Sequence, residues 1–282
     1  MNSKIQLAVL KAASNKLFTL LRCVRDHPFD RDGLREAVLR LYPGRDEKSV
    51  FRGMVIPTLR RLGLIVGYEE SIRLSTSGVL IVTALDKSET EGLRALRAIL
   101  LEKDQASAGF ISELELAGPM AIEQFLEMQS DKIDAPNKKQ FLERVRDWIA
   151  YLSYSGLMTL RDKTVQVNSE RLRQAQADLD ITSKRRSFKR LLFTASSELI
   201  QHQSGVRSVD MDEVRERVAT LAYKEESFII TKDQFDTLLR EIPHITEDYA
   251  ITFGRSMGPE ENLFVLDGRY YQTISIRFEK EH

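Results

Sequence analysis

Apolar residues recur at intervals of three and four along much of the chain, which predicts amphipathic helices. In the first part of the chain this spacing predicts one or two helices over residues 5–24, another over 30–42 and a third over 48–62. The pattern then changes, and residues 64–75 read as two short strands around a turn at 67–70. The hydroxyl residues that follow suit the N-cap of a further helix.

The same order recurs in the next segment. Residues 88–104 and 119–132 are amphipathic, and a long helix from 137 reaches Gly156 before two strands around "RDKT". In both segments a helix therefore passes through glycine into a hairpin. We expect residues 137–172 to repeat the arrangement of residues 49–80, with a strand pair inside 157–168.

The last segment shows a third version of this pattern. Helices are predicted over 184–203, 210–226 and 231–242, with Thr231 and Gln234 in the positions of a capping box. Strands are predicted around "YAITFG", "NLFVL" and "RYYQTISIRF", and Asp267 and Gly268 form a strong signal for a tight hairpin between the last two. The predicted domains are 1–85, 86–180 and 181–282.

The phrase "LRRLGLI" followed by "IRLSTSG" resembles the signature of the winged-helix superfamily. In that family a recognition helix ends in Leu-Gly-Leu/Ile, and the wing returns with a Leu-Ser/Thr-x-x-Gly step, here Leu74 to Gly78. The resemblance covers about residues 28–80. It implies a mainly α fold with small β-hairpins, built from two or three winged-helix units in tandem. Winged helices serve both DNA binding and protein contacts, so the fold alone does not decide the function.

Charge is unevenly distributed along a chain that has 42 basic and 42 acidic residues. Residues 1–85 carry 14 Lys and Arg against 8 Asp and Glu, whereas residues 86–180 carry 13 against 17. A basic first domain joined to acidic ones is typical of a chain with one polyanion-binding module.

The third predicted helix contains both Gly53 and Pro57, which are unfavourable inside helices. At 100° per residue, the core face consists of Phe51, Met54, Val55, Leu59 and Leu62. The opposite strip consists of Ser49, Gly53, Ile56, Pro57 and Arg60, flanked by Arg52 and Arg61.

A proline ring clashes with the carbonyl four residues earlier, here that of Gly53, whose missing Cβ could ease the bend. Three interpretations of the strip compete: an ordinary solvent-facing helix, a DNA surface and a protein-docking surface. The predicted DNA-binding residues are Lys48, Arg52, Arg60, Arg61 and, on the wing, Arg73. The predicted partner-binding residues are Ile56 and Pro57.

The sequence contains few residues that indicate a catalytic or metal-binding site. Cys23 is the only cysteine, which excludes an intrachain disulfide and fits a reducing compartment, and the four histidines are dispersed. Phosphate-loop, dinucleotide and nucleophile-elbow motifs are absent. We therefore predict no catalytic residue, no metal and no cofactor. The best acidic cluster, residues 210–213, suits the start of a helix. The basic run "KRRSFKR" suits a solvated helix face or a nucleic-acid contact.

The sequence therefore predicts a non-enzymatic DNA-binding adaptor. Its basic N-terminal domain would contact duplex DNA, while residues 86–282 contact a protein partner or a second copy of the chain. A pure assembly subunit of a larger DNA-maintenance or defence complex is the first alternative, and an unrecognised metal-dependent nuclease is the second. The expected location is the cytoplasm, associated with the nucleoid if DNA is bound. No apolar run approaches the roughly 18 residues of a membrane span.

Overall fold

A computed structural model describes residues 5–7, 9–103, 105–202, 208–256 and 263–278. The chain divides into two compact units, residues 1–178 and 179–282. The chain as a whole is mainly helical and both units contain small sheets, which confirms the predicted fold class at that level. The predicted boundary at residue 85 lies inside a helix, Thr76–Lys87, and the three-domain division stays a prediction. Within the described ranges, no helix combines the length and apolarity that a membrane crossing requires.

In the described part of the first half of unit 1, four α- or π-helical stretches surround one small hairpin. The helices are α1 (Leu17–Asp26), α2 (Arg31–Arg40), a π-helical segment (Lys48–Val55) that continues into α3 (Ile56–Arg61), and α4 (Thr76–Lys87). Gly63 follows α3 in the left-handed region, with φ of 64°, where glycine is unstrained. Strands β2 (Ile65–Val66) and β3 (Arg73–Leu74) then pair antiparallel, as predicted.

The N-terminal segment departs from its predicted helix. Residues 5–6 form strand β1, which pairs in parallel with β5 (Ile133–Asp134), and helical structure begins only with a short 3-10 turn at Ser14–Lys16. Tertiary hydrogen bonds compete with the helix here. The Ala12 N–H donates to Thr58 Oγ1 at 3.2 Å, and the Ala12 carbonyl accepts from the Tyr151 hydroxyl at 2.9 Å. Long-range contacts therefore override the helical spacing of this segment.

The second half of unit 1 contains α5 (Glu89–Lys103), α6 (Gln105–Ala117), β4 (Met120–Ala121), α7 (Ile122–Ser130), α8 (Lys138–Ser155), β6 (Met158–Arg161), β7 (Thr164–Val167) and α9 (Ser169–Leu179). Gly156 ends α8 in the left-handed conformation. The strand pair expected inside 157–168 is confirmed, and Asp162 and Lys163 at its turn both have positive φ. Strand β4 pairs with β7, so the sheet order is β4-β7-β6.

Unit 2 contains helices α10 (Arg185–His202), α11 (Met211–Glu226) and α12 (Lys232–Glu241), and strands β8 (Val209–Asp210), β9 (Tyr249–Arg255), β10 (Phe264–Leu266) and β11 (Arg269–Phe278). Strand β11 pairs with the other three. The capping box of Thr231 and Gln234 is confirmed, and Asp267 and Gly268 form the predicted turn with φ of 50° and 71°. A core that includes Phe188, Phe235 and Phe264 lies between these helices and this sheet.

Candidate nucleic-acid interface

The helix that carries the predicted interface changes its winding in the middle. In the π-helical segment, the Ile56 N–H donates to the Phe51 carbonyl, five residues earlier. The α-helix then begins at Ile56 and places Pro57 at its second residue. Proline has no N–H to donate and is tolerated in a first turn, where N–H groups have no intrahelical partner. The junction between two helical segments therefore accommodates Pro57.

Gly53 is exposed on the π-helical segment. A Cβ at this position would meet only the Lys48 carbonyl oxygen, at an ordinary contact distance of 3.6 Å. The fold does not need glycine here for space, so the predicted relief of a proline clash is not what the geometry indicates. Gly53 has no side chain and the neighbouring Ser49, which is also exposed, has a small one, so this part of the helix surface carries no bulky group. This part is called the low surface below.

Ile56 does not lie on the exposed strip. It is 7% exposed, Pro57 is half-buried, and the prediction of an outward-facing Ile56 is wrong. The cause is the wider turn of the π-helix, because a rotation of 100° per residue holds only for an α-helix. The smaller rotation per residue of the π-helix adds up over several residues and places Ile56 on the buried side of the helix. Partner binding by Ile56 and Pro57 stays a prediction, but the exposed Ile56 side chain that favoured it is not present in the structure.

Two of the five predicted DNA-binding cations project freely from this helix. Lys48 and Arg52 are exposed, and their side chains form no hydrogen bond or ion pair with any residue that the structure describes. They flank the low surface of Ser49 and Gly53 on successive turns. The N-terminal end of the segment also carries acidic groups: the Asp46 carboxylate accepts the Ser49 N–H at 2.7 Å, and Glu47 lies 3.5 Å from Arg35.

Arg60 and Arg61 have structural partners that the sequence did not indicate. The Arg60 guanidinium donates to the Gly67 carbonyl at 2.7 Å and lies 4.3 Å from the centre of the Tyr68 ring. Arg61 donates to the Val9 carbonyl at 2.7 Å. Arg60 thus joins α3 to the hairpin loop, and Arg61 joins α3 to the N-terminal segment.

The hairpin itself presents mixed charge. Arg73 on β3 is half-buried, while Glu69 and Glu70 in the loop are exposed. Glu70 lies 3.6 Å from Arg31 of α2, which partly compensates its charge. Carboxylates repel a phosphate backbone, so this loop is less suited to DNA than the π-helical segment.

The basic run of α10 is largely compensated within unit 2. Arg185 forms two hydrogen bonds with Glu241, at 2.7 and 2.8 Å, and Arg190 pairs with Glu225 at 2.7 Å and with Glu226 at 2.5 Å. Arg186 is exposed. These contacts agree with a solvated helix face and leave little uncompensated charge for a ligand.

The acidic cluster at 210–213 also has local partners. Asp210 caps α11 by accepting the Asp212 N–H at 2.8 Å, and Asp212 pairs with Arg215. Among the described residues, no group of three or more His, Cys, Asp or Glu is arranged to hold a metal ion. Cys23 is half-buried, and burial raises the pKa of its thiol.

Comparison with protein-family models, with curated proteins and with solved structures found no match.

Proposed function

We propose that this protein is a non-enzymatic DNA-binding adaptor that contacts duplex DNA through the helix 48–61 of unit 1. The main support for the proposal is that Lys48 and Arg52 are exposed, have no partner among the described residues, and lie beside the low surface of Ser49 and Gly53. Small side chains let a phosphate backbone approach the helix closely, and the two cations neutralise phosphates or reach base edges.

We further propose that the chain is built from tandem winged-helix units. Residues 105–167 follow the order helix, strand, helix, helix, strand, strand, apart from the short strand β5 between the second and third helices. Residues 185–278 follow the same order, with the extra strand β10 inside the second hairpin. In both sheets the first strand pairs with the last, which also pairs with the strand before it. Residues 17–87 have three helices followed by a hairpin. This recurrence supports the winged-helix resemblance that the sequence carries.

An assembly subunit without DNA contact is the second candidate. The observation that favours it is the internal use of Arg60 and Arg61, together with the exposed carboxylates of Glu69 and Glu70. Both features remove positive charge from the surface where a winged helix would meet DNA. The two candidates differ in whether unit 1 has any salt-sensitive affinity for duplex DNA.

The deciding experiment is fluorescence anisotropy of the full chain with a labelled short duplex over a series from about 50 to about 200 mM salt. We expect log affinity to fall linearly with log salt, with a slope of about −1.8 or steeper, because two or more phosphate contacts each contribute about −0.9. Absence of binding at the lowest salt would contradict the DNA-binding proposal and favour the assembly subunit.

A further inference from the structure

Unit 1 contains a cleft of about 530 Å³ next to the helix that carries Lys48 and Arg52. Its walls come from the segment before α1, the turn after α2, Met54 of the π-helical segment and the middle of α8. The volume falls in the range of small-molecule sites, about 300–1,000 Å³. Its principal polar lining residues are Lys11, Lys16, Tyr42, Arg45, Asp147 and Tyr151.

The start of the first helix opens into this cleft. The 3-10 turn Ser14–Lys16 runs directly into the ten-residue helix α1, and all three turn residues line the cleft. No side chain caps this end, and the first turn has no acidic residue. The N–H groups at a helix start and the positive end of its dipole favour an anion.

Tyr42 supplies an independent indication of a ligand. The residue is 6% exposed, and its buried hydroxyl has no hydrogen-bond partner of normal geometry among the described residues. Burial raises the pKa of this phenol, while a weak hydrogen bond from the Ala13 N–H to the phenol oxygen and the charge of Arg45 lower it by less. The hydrogen of the hydroxyl still has no acceptor among the described residues. A buried hydroxyl whose hydrogen has no acceptor is unfavourable. A ligand oxygen in the cleft would give this hydroxyl its missing acceptor.

The charges around the cleft favour a ligand rich in acceptors. Lys11 and Arg45 are exposed at its rim, and Lys16 lies with its ammonium 4.0 Å from the Tyr42 ring centre while donating to the Leu41 carbonyl. Against these three cations stands one carboxylate, Asp147 of α8. Lysine, arginine and helix N–H groups are all donors, which matches the oxygens of a phosphate.

Asp147 adds an anionic hydrogen-bond acceptor to the lining of the cleft. It is half-buried, and its carboxyl forms no hydrogen bond or ion pair with the residues that the structure describes. A carboxylate in this position accepts hydrogen bonds from hydroxyl or amino groups. A ligand that suits the whole cleft therefore combines a phosphate with a body that carries hydrogen-bond donors.

We propose that this cleft binds a phosphomonoester whose body bears hydroxyl or amino donors, with the phosphate at the start of the first helix and the donors at Asp147. The same chemistry occurs in a mononucleotide and in the 5′-phosphorylated end of a nucleic-acid strand. The site goes beyond the proposed duplex contact and does not depend on it.

The proposal is tested by calorimetric titration of the full chain with a mixture of the four nucleoside 5′-monophosphates. The corresponding nucleosides, inorganic phosphate and short single strands with and without a 5′-phosphate serve as comparison probes. We expect binding of the phosphorylated probes and a loss of about tenfold or more on removal of the phosphate, because charge-assisted hydrogen bonds are the stronger ones. Tighter binding of the free monophosphates would identify a mononucleotide as the ligand, and tighter binding of the phosphorylated strand would identify a nucleic-acid end.

Two variants separate a ligand site from a structural feature. Lys11→Ala with Arg45→Ala should weaken binding by about tenfold or more, whereas the matched loss of two exposed cations, Arg161→Ala with Lys163→Ala, should leave it unchanged. Tyr42→Phe should weaken binding by about two- to tenfold without lowering the thermal stability of the free protein, because it removes an unsatisfied hydroxyl. Absence of binding by every phosphorylated probe, or undiminished binding by the Lys11 and Arg45 double variant, would overturn the proposal. So would a Tyr42→Phe protein that loses stability and keeps its affinity.

Discussion

The guanidinium of Arg60 lies 4.3 Å from the centre of the Tyr68 ring and donates to the neighbouring Gly67 carbonyl at 2.7 Å. One side chain thus fixes the angle between α3 and the hairpin loop through both a cation–π contact and a hydrogen bond. Arg60 thereby stabilises the arrangement of α3 and the hairpin loop, and it does so with the same donors that a phosphate would need.

We predict that Arg60→Ala lowers the free energy of unfolding of unit 1 by about 1–2 kcal/mol, the sum of a net hydrogen bond and an exposed cation–π contact. Arg61→Ala should cost about 1 kcal/mol, since it removes one hydrogen bond to the Val9 carbonyl. Arg52→Ala is the control and should change the free energy by less than about 0.5 kcal/mol. Trp148, the only tryptophan of the chain and buried in unit 1, reports the urea transition. Equal effects of all three substitutions would contradict the assignment of Arg60 and Arg61 as anchors.

A buried ion pair in unit 2 gives a second prediction. Arg215 is fully buried and donates to both carboxylate oxygens of Asp236, at 2.9 Å each, which joins α11 to α12. Asp236→Ala should therefore lower the stability of unit 2 by about 3 kcal/mol, the lower end of the range for a broken buried pair, because Asp212 still pairs with the buried cation. Hydrogen exchange of the α11 and α12 amides measures the effect locally.

The double variant Arg215→Met with Asp236→Leu distinguishes an interaction from mere packing. Asp212, which also pairs with Arg215, is partly exposed and can be hydrated after the change. We expect the double variant to be within about 1–2 kcal/mol of wild type, because hydrophobic replacement of a buried pair is often close to neutral. A double variant as unstable as Asp236→Ala would show that volume, rather than charge, governs this contact.

The cleft of unit 1 provides a prediction about pH. Burial raises the pKa of the Asp147 carboxyl from 3.8 to about 6, with Glu143 adding to the rise and Lys11 opposing it. Tyr42, Tyr151, Lys16 and Arg45 also line the cleft that this carboxyl faces. Because the folded state holds the proton more tightly than the unfolded state does, stability falls as pH rises from about 4 to about 6.

Asp147→Asn should therefore stabilise unit 1 at pH 8 by about 1 kcal/mol, a figure reduced for solvent screening of a half-exposed group. The gain should nearly vanish at about pH 3, where the wild-type carboxyl is mostly protonated in both states. Urea denaturation followed by Trp148 fluorescence at the two pH values measures the difference, with Asp134→Asn, on an exposed carboxylate of the same unit, as the control. A gain that is equal at both pH values would indicate altered packing instead of relief of a buried charge.

The elements that the sequence predicts correctly are those with local determinants. Asp162, Asp267 and Gly268 are residue types that tolerate positive φ in a tight turn. Lys163 has positive φ as well without belonging to these types, and both hairpins form where predicted. The capping box of Thr231 depends on residues three positions apart in the chain. Such signals need no knowledge of the tertiary structure.

The failures have non-local causes. Val9 and Ala12 lie in a segment with a helical pattern, yet their backbone groups bond to Thr58, Arg61 and Tyr151, which lie far away in sequence. One of these contacts occupies the guanidinium of Arg61, so DNA binding by Arg61 stays a prediction with weaker support. Ile56 was misplaced because the preceding segment winds as a π-helix, a change of period that the apolar spacing does not reveal. The candidate interface therefore narrows to Lys48 and Arg52, with Arg73 half-buried on the hairpin.

The last prediction concerns these two cations and DNA. Lys48→Ala with Arg52→Ala should reduce the magnitude of the salt slope for duplex binding by about 1.8, since each phosphate contact contributes about 0.9. Neither side chain has a protein partner among the described residues, so the unfolding transition should stay within about 0.5 kcal/mol of wild type. The control, Arg186→Ala with Lys224→Ala, removes the same charge from exposed positions of unit 2 and should leave the slope unchanged. If both double variants lower the slope equally, the duplex responds to total charge and not to the helix 48–61. If neither does, Lys48 and Arg52 do not contact phosphate, and the assembly function becomes the better account of this surface.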